Sequence, residues 1–202
     1  YLMIDVVGNH PGSIGQDYSQ ISPFNDGKYY HDCSNCPSSC QIENFRNQPE
    51  VEHCKLSGLP DLNQTVQFVH DKLIESIRDV SGEFADGFRV DTVPEVEKPF
   101  WTDLTKAVSP KFLTGEVYDS RVDYCAGYQG PLPSVLSYPL FFTARGVFAS
   151  HNSMRELGNS MMEYEKYFRD TDAICTFDNN HDHPRFLNLN SDRWLFRNHL
   201  VW

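Results

Sequence analysis

Short apolar runs that lead into charged residues recur along this chain, with helical periodicity between them. Strand-like runs lie at 1–7, 87–91, 111–117, 133–138 and 174–177. Strands that alternate with helices and deliver charged residues at their ends are typical of parallel βα units. Five such units predict an α/β fold, specifically a partial (β/α)8 TIM barrel containing about strands three to seven. An open doubly wound sheet is the alternative that periodicity leaves open.

The segment after the first strand has a different character. Residues 11–62 are rich in Gly, Pro, Ser, Asn and Cys and show little periodicity, so we expect a loop-rich inserted subdomain. The barrel would comprise residues 1–10 and 63–202. A helix is predicted from Asn63, as N-cap, to Gly82, and residues 141 to about 166 are predicted to be helical.

Four cysteines, Cys33, Cys36, Cys40 and Cys54, lie within the inserted segment. Two interpretations compete, namely disulfides in a secreted protein and a zinc site built on Cys33 and Cys36. Because no second CxxC follows, zinc is the weaker alternative. The sequon at 63–65 also fits secretion.

The formal net charge of −11 argues against nucleic acid and anionic membranes as partners, since both attract basic surfaces. This negative charge is compatible with binding a neutral substrate and favours binding a hard cation. No apolar run is long enough to span a bilayer.

Three carboxylates, Asp91, Glu116 and Asp182, follow three different predicted strands. Glycosidic hydrolysis needs one carboxyl group to protonate the leaving oxygen and another to attack or stabilise the sugar. Arg89 lies two residues before Asp91 and therefore on the same strand face, where its charge would hold Asp91 ionised. Glu116 follows an apolar strand, and partial burial there favours a proton donor. Acids at strand ends also cap helices, so each residue has a purely structural alternative.

Five segments resemble the conserved regions of glycoside hydrolase family 13, the α-amylase family. They are residues 5–10 (DVVGNH), 59–63 (LPDLN), 87–93 (GFRVDTV), 115–117 (GEV) and 180–182 (NHD). Their order and spacing are those of the family, and the resemblance covers essentially the whole chain. It is closest to fungal-type and related eukaryotic α-amylases.

The resemblance implies a retaining hydrolase that cleaves internal α-1,4-glucosidic bonds of starch or glycogen. Asp91 would be the nucleophile, Glu116 the acid/base and Asp182 the transition-state stabiliser. Arg89, His10 and His181 match residues that line the same sugar subsite, and Asp5 matches a supporting position.

The resemblance also implies a structural Ca²⁺. Asn9 and Asp61 match its side-chain ligands, while Glu52 and Glu95 match residues that offer carbonyl oxygens. Cys40 and Cys54 match a disulfide of similar fungal enzymes.

One position departs from the pattern, because Pro94-Glu95 replaces a Lys-His pair that contacts the leaving-group side. A 4-α-glucanotransferase on the same site is therefore an alternative, and a non-catalytic binding domain is a weaker one. We expect a secreted monomer with an α-glucan as its partner, and without nucleic-acid or membrane partners. We also expect this chain to be an internal piece of a longer protein, inactive on its own.

Overall fold

The computed structural model describes residues 1–12 and 17–202, which pack as two compact units, Tyr1–Glu116 and Val117–Trp202. The first unit contains β1 (Met3–Val7), α1 (Gln48–His53), α2 (Gln67–Glu75), β2 (Gly87–Asp91), α3 (Lys98–Val108) and β3 (Phe112–Gly115). It also has 3-10 turns at Tyr18–Gln20, Gly27–Tyr29 and Val93–Glu95 and a π-helical turn at Ser76–Ser81. The second unit contains α4 (Val122–Ala126), β4 (Ser134–Val135), α5 (Tyr138–Ser150), α6 (Arg155–Tyr167), α7 (Phe186–Leu189) and α8 (Arg193–Val201).

The strands of the first unit are parallel, as the βα pattern predicts. β1 pairs with β2 so that Val7 lies opposite Asp91, and β2 pairs with β3 so that Val90 lies opposite Gly115. Phe88, Val90 and Leu113 are fully buried, which explains why these strands contain apolar residues. Because parallel strands share one direction, their carboxyl ends meet at a single edge of the sheet.

Helix α3 packs next to this edge of the sheet. It buries Phe100, Trp101 and Leu104 on one face, and the Trp101 indole donates to the Val93 carbonyl at 2.9 Å. A Cβ at Gly8 would lie 2.7 Å from the Trp101 ring, so only glycine allows the chain after β1 to pass this close.

Three sequence-based predictions of local structure are wrong. Asn63 does not cap α2, because its side chain accepts from the Thr65 amide while Val66 takes the N-cap position. The helical stretch predicted over 141–166 is interrupted, since His151 ends α5 with a left-handed φ of 60°. Residues 174–177 form no strand, and Cys175 makes one parallel bridge to Leu136.

The cysteine-rich segment contains disulfides, but not the pair that the resemblance implies. Cys36 is bonded to Cys54, and Cys33 to Cys40, so the predicted Cys40–Cys54 pair is wrong, as is a zinc site on Cys33 and Cys36. The Cα atoms of Cys36 and Cys54 are 5.7 Å apart, a distance that a disulfide spans. Spacing in sequence carries no such information. The proposed boundaries of the inserted subdomain, residues 11–62, stay a prediction.

Candidate active site

Arg89 lies on β2 at the centre of a cluster of carboxylates. Its Nη1 donates to Asp5 Oδ1 at 2.9 Å and also to Asp91, while Nη2 contacts Glu116 Oε1 at 2.8 Å. The Arg89 side chain is only 14% exposed. Burial alone would lower the pKa of Arg89, but the attraction of Glu116 and the hydrogen bonds that Arg89 donates to Asp91 and Asp5 outweigh burial and raise this pKa. Arg89 is therefore a permanent cation between the predicted nucleophile and the predicted acid/base.

Backbone geometry fixes Glu116 beside the end of β2. Its amide donates to the Val90 carbonyl at 2.7 Å, and its carbonyl accepts from the Val93 amide at 3.1 Å. The Glu116 Oε2 atom accepts from the Thr92 amide at 3.3 Å. Thr92 has a positive φ of 46°, which is uncommon for a threonine and turns the chain away directly after Asp91.

His10 belongs to the same cluster. Burial lowers the pKa of His10 below its ordinary value, and the negative charge of Asp91 opposes that shift. An imidazole can donate a hydrogen bond to a sugar hydroxyl or accept one from it. The first unit thus brings together Asp91, Glu116, Arg89 and His10.

Asp182 and His181 lie in the second unit, in the loop between Cys175 and α7. The two side chains are 47% and 72% exposed and approach each other at 3.5 Å, between His181 Nε2 and Asp182 Oδ2. Asn180 shapes this loop, because its Oδ1 accepts from the Asp182 amide and its Nδ2 donates to the Tyr138 hydroxyl. The approach of Asp182 and His181 to Asp91 stays a prediction.

Sequence reasoning missed the residue that anchors this loop. Arg145 on α5 is buried and donates to the carbonyls of Pro184 and Asp178, at 2.7 and 3.3 Å, and to Asn179 Oδ1 at 2.9 Å. A signal was present, since Arg145 is the only charged residue in a mostly apolar helix. A buried guanidinium in such a position must find acceptors.

Three of the predicted calcium ligands converge at the edge of β1. The side-chain amide of Asn9 has one of its atoms 2.9 Å from Asp61 Oδ1 and 3.1 Å from the Glu95 carbonyl oxygen. If this atom is the amide nitrogen, Asn9 donates hydrogen bonds to both oxygens. If it is the amide oxygen, three oxygen atoms face one another, and a bound cation would stabilise them. All three residues are buried. Buried oxygen donors drawn from distant segments form the kind of site that Ca²⁺ occupies.

Glu52 on α1 is the remaining predicted residue of the calcium site, and the side chain of Glu95 belongs to the turn after β2. Gln48 Nε2 donates to both Glu52 Oε1, at 2.8 Å, and the Pro94 carbonyl, at 3.0 Å, which ties α1 to the turn after β2. The role of the Glu52 carbonyl stays a prediction. Burial raises the pKa of Glu95 to about 8, and the charges of Glu116 and Asp91 add to that shift. The acid that replaces the family's histidine therefore lies in the field of the carboxylate cluster.

Comparison with known proteins shows which family this chain resembles. The family described as alpha amylase, catalytic domain, matches residues 1–200. The chain is 32% identical over 211 residues to an α-amylase of Saccharomycopsis fibuligera, covering 100% of this chain and 41% of that protein. It is 30% identical over 212 residues to α-amylase 1 of Lipomyces kononenkoae, covering 100% of this chain and 33% of that protein.

Among solved structures, an α-amylase from Malbranchea cinnamomea superposes with a TM-score of 0.88 at 32% identity, covering 100% of this chain and 43% of that one. This likeness confirms the predicted partial barrel over the alternative of an open sheet. The chain spans less than half the length of the relatives it matches. Within the described residues, no helix combines the length and apolarity needed to cross a bilayer.

Proposed function

This chain belongs to the α-amylase family of glycoside hydrolases, and on that premise we propose that it forms the catalytic centre of a retaining enzyme that hydrolyses internal α-1,4-glucosidic bonds of starch-type glucans. One observation carries the proposal. A single guanidinium, that of Arg89, contacts both Asp91 and Glu116 at the ends of neighbouring parallel strands. Retaining enzymes need two carboxyl groups only about 5 Å apart, and a shared guanidinium supports such a short separation.

In the first step, a carboxylate oxygen of Asp91 bonds to the anomeric carbon as the glycosidic C–O bond breaks. Glu116 transfers its proton to the leaving oxygen, so the departing sugar leaves with a hydroxyl. In the second step, Glu116 takes a proton from water, and the resulting oxygen nucleophile displaces Asp91 from the anomeric carbon. Two inversions at one carbon give net retention of configuration.

Arg89 and His10 have supporting roles in these steps. The charge of Arg89 keeps Asp91 an anion and thus a nucleophile. His10, and His181 with Asp182 from the second unit, would hydrogen-bond hydroxyls of the sugar and stabilise its distorted transition state.

Asn9 Oδ1, Asp61 and the Glu95 carbonyl would hold a structural Ca²⁺, with the Glu52 carbonyl as a further donor. Such an ion would cross-link β1 and the turn after β2 to the segment around Asp61. The ion would help to position the catalytic residues, because Glu95, whose carbonyl would bind it, lies four residues after Asp91. The proposed enzyme is a secreted monomer, and its two disulfides support an oxidising compartment.

The test uses the full-length protein with Asp91→Asn, and Asp103→Asn on the exposed face of α3 as the matched control. We expect kcat on maltoheptaose to fall at least about a thousandfold for Asp91→Asn, since the nucleophile is lost, and to be unchanged for Asp103→Asn. A fluorinated maltosyl fluoride should label the wild-type protein at Asp91, as read by peptide mass spectrometry. A label on another residue, or a β-anomeric first product by NMR, would contradict the mechanism. Elongated products from maltoheptaose would instead indicate a glucanotransferase.

A further inference from the structure

Two histidines and a glutamate form a cluster apart from the carboxylates around Arg89. His31, His53 and Glu97 each offer a ligand atom, and these atoms lie within 4.8 Å of one another. His31 is in the loop before the disulfides, His53 ends α1, and Glu97 is the N-cap residue of α3. Three side chains from three separate segments thus converge on one point.

The carboxylate of Asp61 orients one of these histidines. His31 Nδ1 lies 2.8 Å from Asp61 Oδ2, and both side chains are largely buried, at 10% and 2% exposure. A buried carboxylate beside Nδ1 favours the tautomer with its proton there, which leaves Nε2 free as a ligand. Metal-binding histidines commonly donate their second ring N–H to a carboxylate in this way.

One spacing within the cluster matches that of two ligands on a tetrahedral transition metal. His53 Nε2 and Glu97 Oε1 are 3.2 Å apart, while ligands about 2.0 Å from a tetrahedral zinc lie about 3.3 Å from each other. The rings of His31 and His53 meet edge to face, with centroids 4.9 Å apart. Imidazole nitrogens favour Zn²⁺ over Ca²⁺, which takes oxygen ligands.

We propose that His31, His53 and Glu97 bind a zinc-class divalent cation at a site separate from the calcium cradle of Asn9, Asp61 and Glu95. The inference does not depend on glycosidase activity. Asp61 connects the two sites, because its Oδ1 faces Asn9 and its Oδ2 faces His31. A metal here would join the loop at His31 and the end of α1 to the start of α3. Its effect would be to hold these segments together, and three protein ligands would leave a fourth position open to water.

The test measures Zn²⁺ binding to the full-length protein, first stripped with a chelator and then saturated with Ca²⁺. Titration calorimetry and elemental analysis should find one equivalent of Zn²⁺ in addition to calcium. Glu97→Gln, which preserves side-chain shape, and His53→Ala should each weaken Zn²⁺ binding at least tenfold. His70→Ala is the matched control, since His70 is also a partly buried histidine between carboxylates, Asp71 and Asp103, and should bind Zn²⁺ like the wild type.

Two further measurements guard against a folding defect and a misplaced ion. Circular dichroism of each variant in excess Ca²⁺ establishes whether that variant is folded. If His53→Ala does not fold, the Zn²⁺ affinity of Glu97→Gln tests the proposal. Co²⁺ should give the visible absorption of a tetrahedral nitrogen–oxygen site in the wild type and lose it in Glu97→Gln. The proposal is overturned if the calcium-saturated wild type binds no Zn²⁺, if excess Ca²⁺ displaces it, or if Glu97→Gln binds it unchanged.

Discussion

The contact of one guanidinium with two proposed catalytic carboxylates leads to a specific prediction for Arg89→Lys. Lysine keeps the positive charge, but its ammonium is a single point and cannot reproduce the two ends of the guanidinium. Arg89 contacts Asp5 and Asp91 through Nη1 and Glu116 through Nη2. We therefore expect the substituted lysine to keep one side of the cluster and to lose the other.

The magnitude follows from the lost contact. A hydrogen bond to a charged group contributes about 1.5–3 kcal/mol, and each 1.36 kcal/mol changes a rate tenfold. Arg89→Lys should therefore lower kcat by roughly 10- to 150-fold. KM should change little, because Arg89 acts mainly on Asp91 and Glu116 and only secondarily on the sugar.

The assay measures kcat and KM of the full-length protein on an end-blocked nitrophenyl maltooligosaccharide, with thermal unfolding followed in parallel. Arg78→Lys is the matched control, because Arg78 pairs with Asp79 on an exposed surface and should leave kcat unchanged. A folded Arg89→Lys variant with kcat within twofold of the wild type would refute the role given to the shared guanidinium.

Three further predictions concern stability. Asn9→Ala should weaken Ca²⁺ binding about 100-fold, equivalent to about 2.7 kcal/mol at fixed calcium; an EDTA-induced fall in melting temperature as large as that of the wild type would contradict this. Arg145→Ala should lower the urea-measured free energy of unfolding by about 2–4 kcal/mol through lost charge-assisted hydrogen bonds, whereas Arg155→Ala at the exposed start of α6 should change it by less than about 0.5 kcal/mol. Leu113→Ala should cost about 2–5 kcal/mol because it empties a fully buried position, and exposed Leu2→Ala much less.

The βα pattern could be predicted because it depends on periodicity along the chain. β2 has the predicted bounds, because the alternation of apolar residues along a strand acts locally. Boundaries set by contacts distant in sequence were harder to predict. The break at His151 has no such signal, and the run at 174–177 forms one bridge, from Cys175 to Leu136.

The sequence by itself determined which residue types reach the carboxyl ends of the strands, and so placed Arg89, Asp91 and Glu116 at one edge of the sheet. Alternation along a strand decides which side chains share a face, and parallel pairing brings successive strand ends to one edge. Only the tertiary structure decided that Arg89 contacts Glu116 as well as Asp91, and that Cys54 pairs with Cys36. Distances between residues far apart in sequence depend on how whole segments pack, and no local pattern records them.

For the same reason, one of the two candidate metal sites could be predicted from the sequence and the other could not. Asn9 and Asp61 lie in segments with recognisable motifs, so their convergence was predictable. His31, His53 and Glu97 belong to no motif and are 22 and 44 residues apart in turn. Their meeting results from the packing of α1 and the neighbouring loop against the start of α3, which is a property of the folded chain alone.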